Sequence, residues 1–379
     1  MHMDYSDDIA CCLLNKVFGF NPMAGKRIID RLERPYDLFT MTDSERRNFA
    51  GMVLPEGLDK RAFDECAEEL ERLSRSGCRF VGFHSLPSLL KDCSDPPLGL
   101  YVKSSSPPEE VFRPRPSVAI VGTRDVSHYG LEWCRKLCRA LALSPAGPVI
   151  VSGLAIGVDI AAHLEAIERG AATIAVLPTG LDKVYPGRHE AYADRICNTP
   201  GCALVSDYPP GTVPLKTNFL RRNRIIAGLS QAVLLIESKI HGGGMMTARL
   251  AASYNRAVYA LPGRADDIRS AGCNKLISEQ TAELVASEGD LLAKLGLPPA
   301  PGVTAYRDVS TVFAGRIPPD EIPRLSAMLG MIACSRGIGI DDLSSRMMLQ
   351  ISTVRALVSL LESEGFIQTD ILGRCCLYT

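Results

Sequence analysis

The sequence lacks the signatures of the commoner nucleotide enzymes. There is no G-x-x-x-x-G-K-S/T stretch, which argues against a P-loop ATPase, and no complete G-x-G-x-x-G after the first Val/Ile-rich run, which argues against a dinucleotide cofactor. There is no G-x-S-x-G either: Gly228-Leu229-Ser230-Gln231-Ala232 falls one residue short. His241-Gly242-Gly243-Gly244, shaped like an esterase oxyanion loop, is therefore left without a serine nucleophile. Thirteen cysteines contain no C-x-x-C, and their odd, scattered number speaks against a disulfide framework. Cys134 and Cys138, four apart on an expected helix, read as reduced thiols, because no His or Cys cluster completes a zinc shell nearby. The net charge of −1 supplies no global attraction for nucleic acid, so a polyanion site has to be local. Asp4, Asp7 and Asp8 stand where a secretory leader would carry Lys or Arg, and the apolar run after them is too short to span a bilayer. The expectation is a cytoplasmic protein with no membrane partner.

The 379 residues leave room for two or three domains, and 46% hydrophobic with 22% charged residues is ordinary globular composition. Residues 1–78 read as a small helical domain, with helices over 9–17, 24–32, 44–49 and 61–74 separated by Pro22, Pro35 and Pro55. A DNA-backbone module of the helix-hairpin-helix kind and a plain helical cap both fit that spacing. Residues 93–116 hold six prolines around one short apolar run and read as an irregular entry to a central domain over 79–290. There the pattern changes to Val/Ile-rich runs at 118–121, 149–152, 173–177, 203–206, 232–237 and 257–261, alternating with helical stretches. This predicts βαβ units and a Rossmann-like, doubly wound, mainly parallel sheet. A Pro/Gly-bearing linker is expected over 291–320. After it, helices near 322–335, 341–348 and 351–364 and two extended runs about Gly373 follow the order of a winged helix over 321–379.

Each predicted strand runs into a loop of small or polar residues: Gly122-Thr123-Arg124, Ser152-Gly153-Leu154, Pro178-Thr179-Gly180 and Gly242-Gly243-Gly244. In a parallel sheet the carboxyl ends of the strands share one rim, so loops distant in sequence converge. Glycine admits close backbone approach, and the helix starts that follow offer N–H groups to an anion. Beside them Lys216, Arg221, Arg222 and Arg224 surround Phe219 within nine residues, with Asn218 and Asn223 between. Cations for phosphates, amides for a sugar or base and a ring to stack on are the combination used to hold single strands. Asp159 and His163 share a helix face, but no nucleophile is placed beside them, and an internal hydrogen bond at a helix start is the simpler reading.

From Asp95 to Ser287, the ordered series DPPLGLYVKS, VAIVGTR, VIVSGLAIGVDIAAH, GLDKVYP, LVSDYPPG, FLRRNRIIAGLS, TARLAA and AVYALPG…GCNKLI resembles the DNA-processing protein A family, also called DprA or Smf. The resemblance implies an extended Rossmann fold, a homodimer, and a non-catalytic role in binding incoming single-stranded DNA and loading RecA, with no metal and no cofactor. It also implies a DNA groove lined by Gly122, Thr123, Arg124, Ser152, Gly153, Lys216, Phe219, Arg222, Asn223, Arg224, Gly242, Gly243 and Gly244. Helical (SAM-like) N-terminal and winged-helix C-terminal appendages are common in that family. Two departures stand out: Ile156 takes the place of an arginine in the second loop, and residues 241–246 replace a Ser-Gly-Ser pattern.

The enzyme reading that competes is a Rossmann-like nucleotide N-glycoside hydrolase, but such an enzyme wants an acid after its glycine loop, and here Glu237 precedes GGGMMTA. A duplex-DNA regulator acting through the winged helix is disfavoured by the 351–364 helix, where Arg355 stands alone against Glu362 and Glu364.

Overall fold

The computed structural model describes residues 5–50, 55, 57–300, 309–335, 337–370 and 373–377. They form two compact units that divide between Pro298 and Pro299.

The first unit is built on a nine-stranded sheet. Its strands are β1 (Cys78–Gly82), β2 (Gly99–Lys103), β3 (Ser117–Val121), β4 (Val149–Ser152), β5 (Thr173–Val176), β6 (Ala203–Ser206), β7 (Ala232–Leu235), β8 (Ala257–Ala260) and β9 (Glu283–Leu284). The spatial order is β1-β2-β6-β5-β4-β3-β7-β8-β9. All strands from β6 to β9 run parallel, while β2 is antiparallel to both β1 and β6. Six of these strands fall on the six Val/Ile-rich runs, and they are apolar throughout because helices cover both faces of the sheet. The period of two sorts each strand between two cores. Val118 and Ile120 of β3 and Leu234 of β7 pack toward the helices His128–Leu143 and Val158–Glu168. Ala119, Val121, Val233 and Leu235 face the opposite layer, which holds the helices Lys216–Gly228 and Gly243–Ser253.

The antiparallel edge is where the structure adds to the sequence reading. The short apolar run among the prolines of 93–116 is β2, and β1 pairs with it in register from Cys78 against Lys103 to Gly82 against Gly99. The N-terminal helices share one core with this edge. Tyr101 of β2 is fully buried, its ring meets Phe80 at 4.9 Å and its hydroxyl lies 3.2 Å from Cys12 Sγ on the Tyr5–Phe18 helix. From the same helix, the Asp8 carboxylate accepts from the Gly82 N–H at 2.8 Å and the Asn15 side-chain amide donates to the Asp207 carbonyl at 2.7 Å. At the other end, the Glu288–Lys294 helix and the chain up to Pro298, read from sequence as the start of a linker, pack against the His128–Leu143 helix: Leu291 and Leu292 are buried there, and Ser144 Oγ donates to the Pro298 carbonyl at 2.7 Å.

The second unit carries the helices Val309–Phe313, Ile322–Cys334, Ile340–Met347 and Ile351–Ser363 and a three-stranded antiparallel sheet of β10 (Ile338–Gly339), β11 (Ile367–Thr369) and β12 (Arg374–Leu377). Leu325, Met328, Leu343, Val354, Leu361 and Ile367 form its own core. Part of the expected linker, 301–308, lies outside the described residues. Among the described residues no helix is long and apolar enough to cross a membrane.

Candidate nucleic-acid interface

β3 sits where the strand order reverses: β4 lies on one side and β7 on the other. The crevice outside the carboxyl ends of such strands is where open α/β sheets receive ligands. The glycine loops meet there. A Cβ on Gly244 would lie 2.7 Å from Leu235 Cδ1 and 3.3 Å from the Gly122 Cα, so only glycine lets the start of the Gly243–Ser253 helix approach the loop after β3 this closely. The second loop closes on the first in the same way: Gly157 adopts φ +88°, and a Cβ on it would stand 2.4 Å from the Thr123 carbonyl oxygen. The Gly243–Ser253 helix has no side-chain cap, so its first N–H groups have no side-chain acceptor, and Gly243 at its start is exposed.

Loop 122–124 is held from beneath. The Thr123 N–H donates to the Glu237 carbonyl at 2.8 Å, and the fully buried Glu237 carboxylate accepts from the Ser127 N–H at 2.8 Å and the Ser127 hydroxyl at 2.5 Å. Both carboxylate oxygens of Glu237 are thereby committed to the chain. Glu237 therefore braces loop 122–124 from beneath.

The cationic segment opens the Lys216–Gly228 helix, and its members part company. Lys216 is exposed, with no ion-pair partner among the described residues. Phe219 is half-buried; the Arg124 guanidinium lies over its ring at 5.3 Å, and Tyr185 meets it edge-on at 5.2 Å. Arg124 itself is exposed. Arg222 turns inward: it donates to the Gly153 carbonyl at 2.7 Å and to the Val176 carbonyl, and its Nε reaches Asn223 Oδ1 at 3.3 Å. Burial, opposed by the nearby Asp159 carboxylate, brings its pKa down to about 10, so it remains charged. Arg224, also buried, pairs with Asp207 at 2.5 Å and donates to the Asp95 carbonyl. Asn223 is buried, and its amide reaches the Gly243 carbonyl at 3.5 Å.

The predicted residues therefore converge in two layers. Gly122, Thr123, Arg124, Lys216, Phe219 and the 242–244 loop make the rim. Ser152, Gly153, Arg222, Asn223 and Arg224 lie beneath it, with the Ser152 hydroxyl donating to the Ile120 carbonyl at 2.6 Å. Arg222 and Arg224, expected among the direct phosphate partners, are occupied by internal carbonyls and a carboxylate in this structure, because desolvated guanidinium groups need all the partners they can reach. Ile156, the departure in the second loop, is half-buried beside Gly157.

Asp159 and His163 do not pair. The Asp159 carboxylate accepts from the Gly153 N–H at 3.1 Å, bracing the second loop, and His163 Nδ1 sits 2.6 Å from Thr173 Oγ1. Burial, reinforced by Arg222, pushes the His163 pKa down to about 3, so the ring is neutral. Cys134 and Cys138 are buried free thiols facing the Val158 and Ala162 carbonyls. No cluster of metal-ligating side chains occurs among the described residues. Two participants escaped the residue reading. Tyr185 lines a cavity of about 320 Å3 with Thr179, Lys183 and Pro214, and Asp207 neutralises Arg224. Both lie inside motifs quoted above, GLDKVYP and LVSDYPPG, which could have flagged them.

The fold and the rim define a Rossmann-like α/β protein whose glycine-rich loops converge where the strand order reverses. Comparison with known proteins makes the assignment specific: residues 79–296 match the model of the DNA recombination-mediator protein A family, and the chain belongs to that family. It is 42% identical over 213 residues to protein Smf of Synechocystis sp., covering 56% of this chain and 52% of that protein. It is 44% identical over 179 residues to DNA processing protein DprA of Streptococcus pneumoniae, covering 47% and 61%. The chain thus spans about half to three-fifths of the length of these curated relatives. Among solved structures, DprA from Streptococcus pneumoniae superposes with a TM-score of 0.62 at 32% identity, covering 74% of this chain and 95% of the other. DNA processing protein A from Helicobacter pylori, whose structure was solved to explain its single-stranded DNA binding mode, superposes at 0.51 with 31% identity, covering 57% and 95%.

Proposed function

We propose that this protein is a non-catalytic, cytoplasmic single-stranded DNA-binding protein of DNA processing, which shields incoming strands and hands them to RecA during transformation and recombination. The observation that carries the reading is Phe219: a ring at the rim, steadied by Tyr185, covered by the exposed Arg124, and set beside open helix N–H groups. A base stacks on that ring while Arg124 and Lys216 take flanking phosphates and the loops of Gly122 and Gly242–Gly244 receive backbone oxygens. Arg222, Asn223 and Arg224 hold the floor. Stacking and phosphate contacts carry little base information, so sequence preference is slight. The engagement of Glu237 by Ser127 favours the binding reading over a hydrolytic one, and family membership supports both the DNA ligand and the RecA and homodimer partners that the motif resemblance implies. The N-terminal helices are assigned a SAM-like domain, and the C-terminal unit is assigned a winged helix that contacts protein rather than reading a major groove.

Fluorescence anisotropy with oligo-dT and duplex DNA over a salt series tests the proposal. Single strands should bind more tightly and lose affinity linearly in log–log salt. Equal affinity for both forms, or no salt dependence, overturns it.

A further inference from the structure

On the opposite side of the Lys216–Gly228 helix from Phe219 lies a second concavity of about 740 Å3, bounded by that helix, the Gly243–Ser253 helix and the turn after the first N-terminal helix. Phe20 projects from that turn and is 81% exposed, an exposure for which a ring has no packing reason. The Arg221 guanidinium stacks on it at 4.7 Å and also donates to the Gly19 carbonyl, so the ring is held in place by a cation. Arg249 and His241 are exposed on the facing side, and Leu220 and Met246 add apolar surface between the cations. Among the described residues the lining has one acid, Asp95, whose carboxylate already accepts from the Tyr254 hydroxyl. Arg224, 5% exposed, also contributes to the lining, and its Nε has no hydrogen-bond partner in the structure.

We propose that this concavity is the continuation of the single-strand path, with Phe20 and Arg221 as a second stacking step and Arg249 and His241 as its phosphate contacts. The inference rests on the DNA reading of the rim. Two features select a polyanion with flat apolar faces: the excess of cations over acids, and the exposed ring already stacked with a guanidinium. Continuity with the rim selects the same strand, because Gly242 both caps the Gly243–Ser253 helix and lines the concavity, so a chain crossing the glycine loop enters it directly. The N-terminal segment thereby becomes part of the binding surface rather than a cap.

Binding of oligo-dT of about six and about twenty nucleotides to the full chain separates the two halves of the path. F20A and R249E should each weaken the long strand about fivefold or more and leave the short one unchanged. Unchanged long-strand affinity in both variants overturns the proposal, as does equal weakening of both lengths. F219A serves as the rim control: if it leaves the short strand unaffected while F20A still weakens the long one, the rim reading fails and the groove reading survives. A long strand carrying 4-thiothymidine, irradiated on the unmodified protein, needs no variant. Adducts on the peptide containing Phe20 are expected, and adducts confined to the rim overturn the inference.

Discussion

The cations of the Lys216–Gly228 helix, close together in sequence, meet different fates. Lys216 and Phe219 open to the rim, while Arg222 and Arg224, one and a half turns further on, are buried and donate to the Gly153, Val176 and Asp95 carbonyls and to the Asp207 carboxylate. Cations read as one patch along a sequence divide by their position on the helix. The end facing solvent supplies charge to a ligand, and the end facing the sheet braces the loops that shape the site. Affinity and stability therefore reside in different arginines and lysines of one nine-residue segment.

The sharpest way to break that comparison is R224E. It places an acid beside Asp207 in a buried setting and removes the bond to the Asp95 carbonyl, so the fold should lose about 3–5 kcal/mol, read as a lower urea midpoint. A midpoint equal to that of the unmodified protein means Arg224 is free in solution, and the division of the segment collapses. F219A should do the reverse, costing about 1–3 kcal/mol of oligo-dT affinity at little cost in stability. A large fall in the urea midpoint with unaltered binding would reassign Phe219 to the core.

A smaller effect comes from two buried groups with opposed acid responses. His163, held near a pKa of about 3, refuses a proton that the unfolded chain takes up below about 6.5, so its environment loses stability as pH falls through that interval. Asp8, raised to about 6 chiefly by burial, keeps a proton that the unfolded chain releases above about 4, so folding gains stability as pH falls from about 6 toward 4. The two trends partly cancel. D8N removes the gain, and its urea midpoint should therefore drop more steeply between pH 6 and pH 4 than that of the unmodified protein; parallel profiles would show that Asp8 titrates normally in the folded state.

The Val/Ile-rich runs determined six strands and their parallel sense, because strands covered on both faces must be apolar at every position, and that pattern survives in one dimension. The same runs implied the rim, since the carboxyl ends of parallel strands share one side. β1 and β2 were hidden: Arg79 interrupts the first, and prolines flank the second, so their pairing depends on the Tyr5–Phe18 helix closing over Tyr101. Which cations meet solvent was also beyond the sequence, because Lys216 and Arg224 differ only in what tertiary packing brings against them: open water for one, and the Asp207 carboxylate with the Asp95 carbonyl for the other. Phe20 is the converse case: packing leaves its ring outside, because the turn after the first helix carries it past the edge of the layer that buries Phe18.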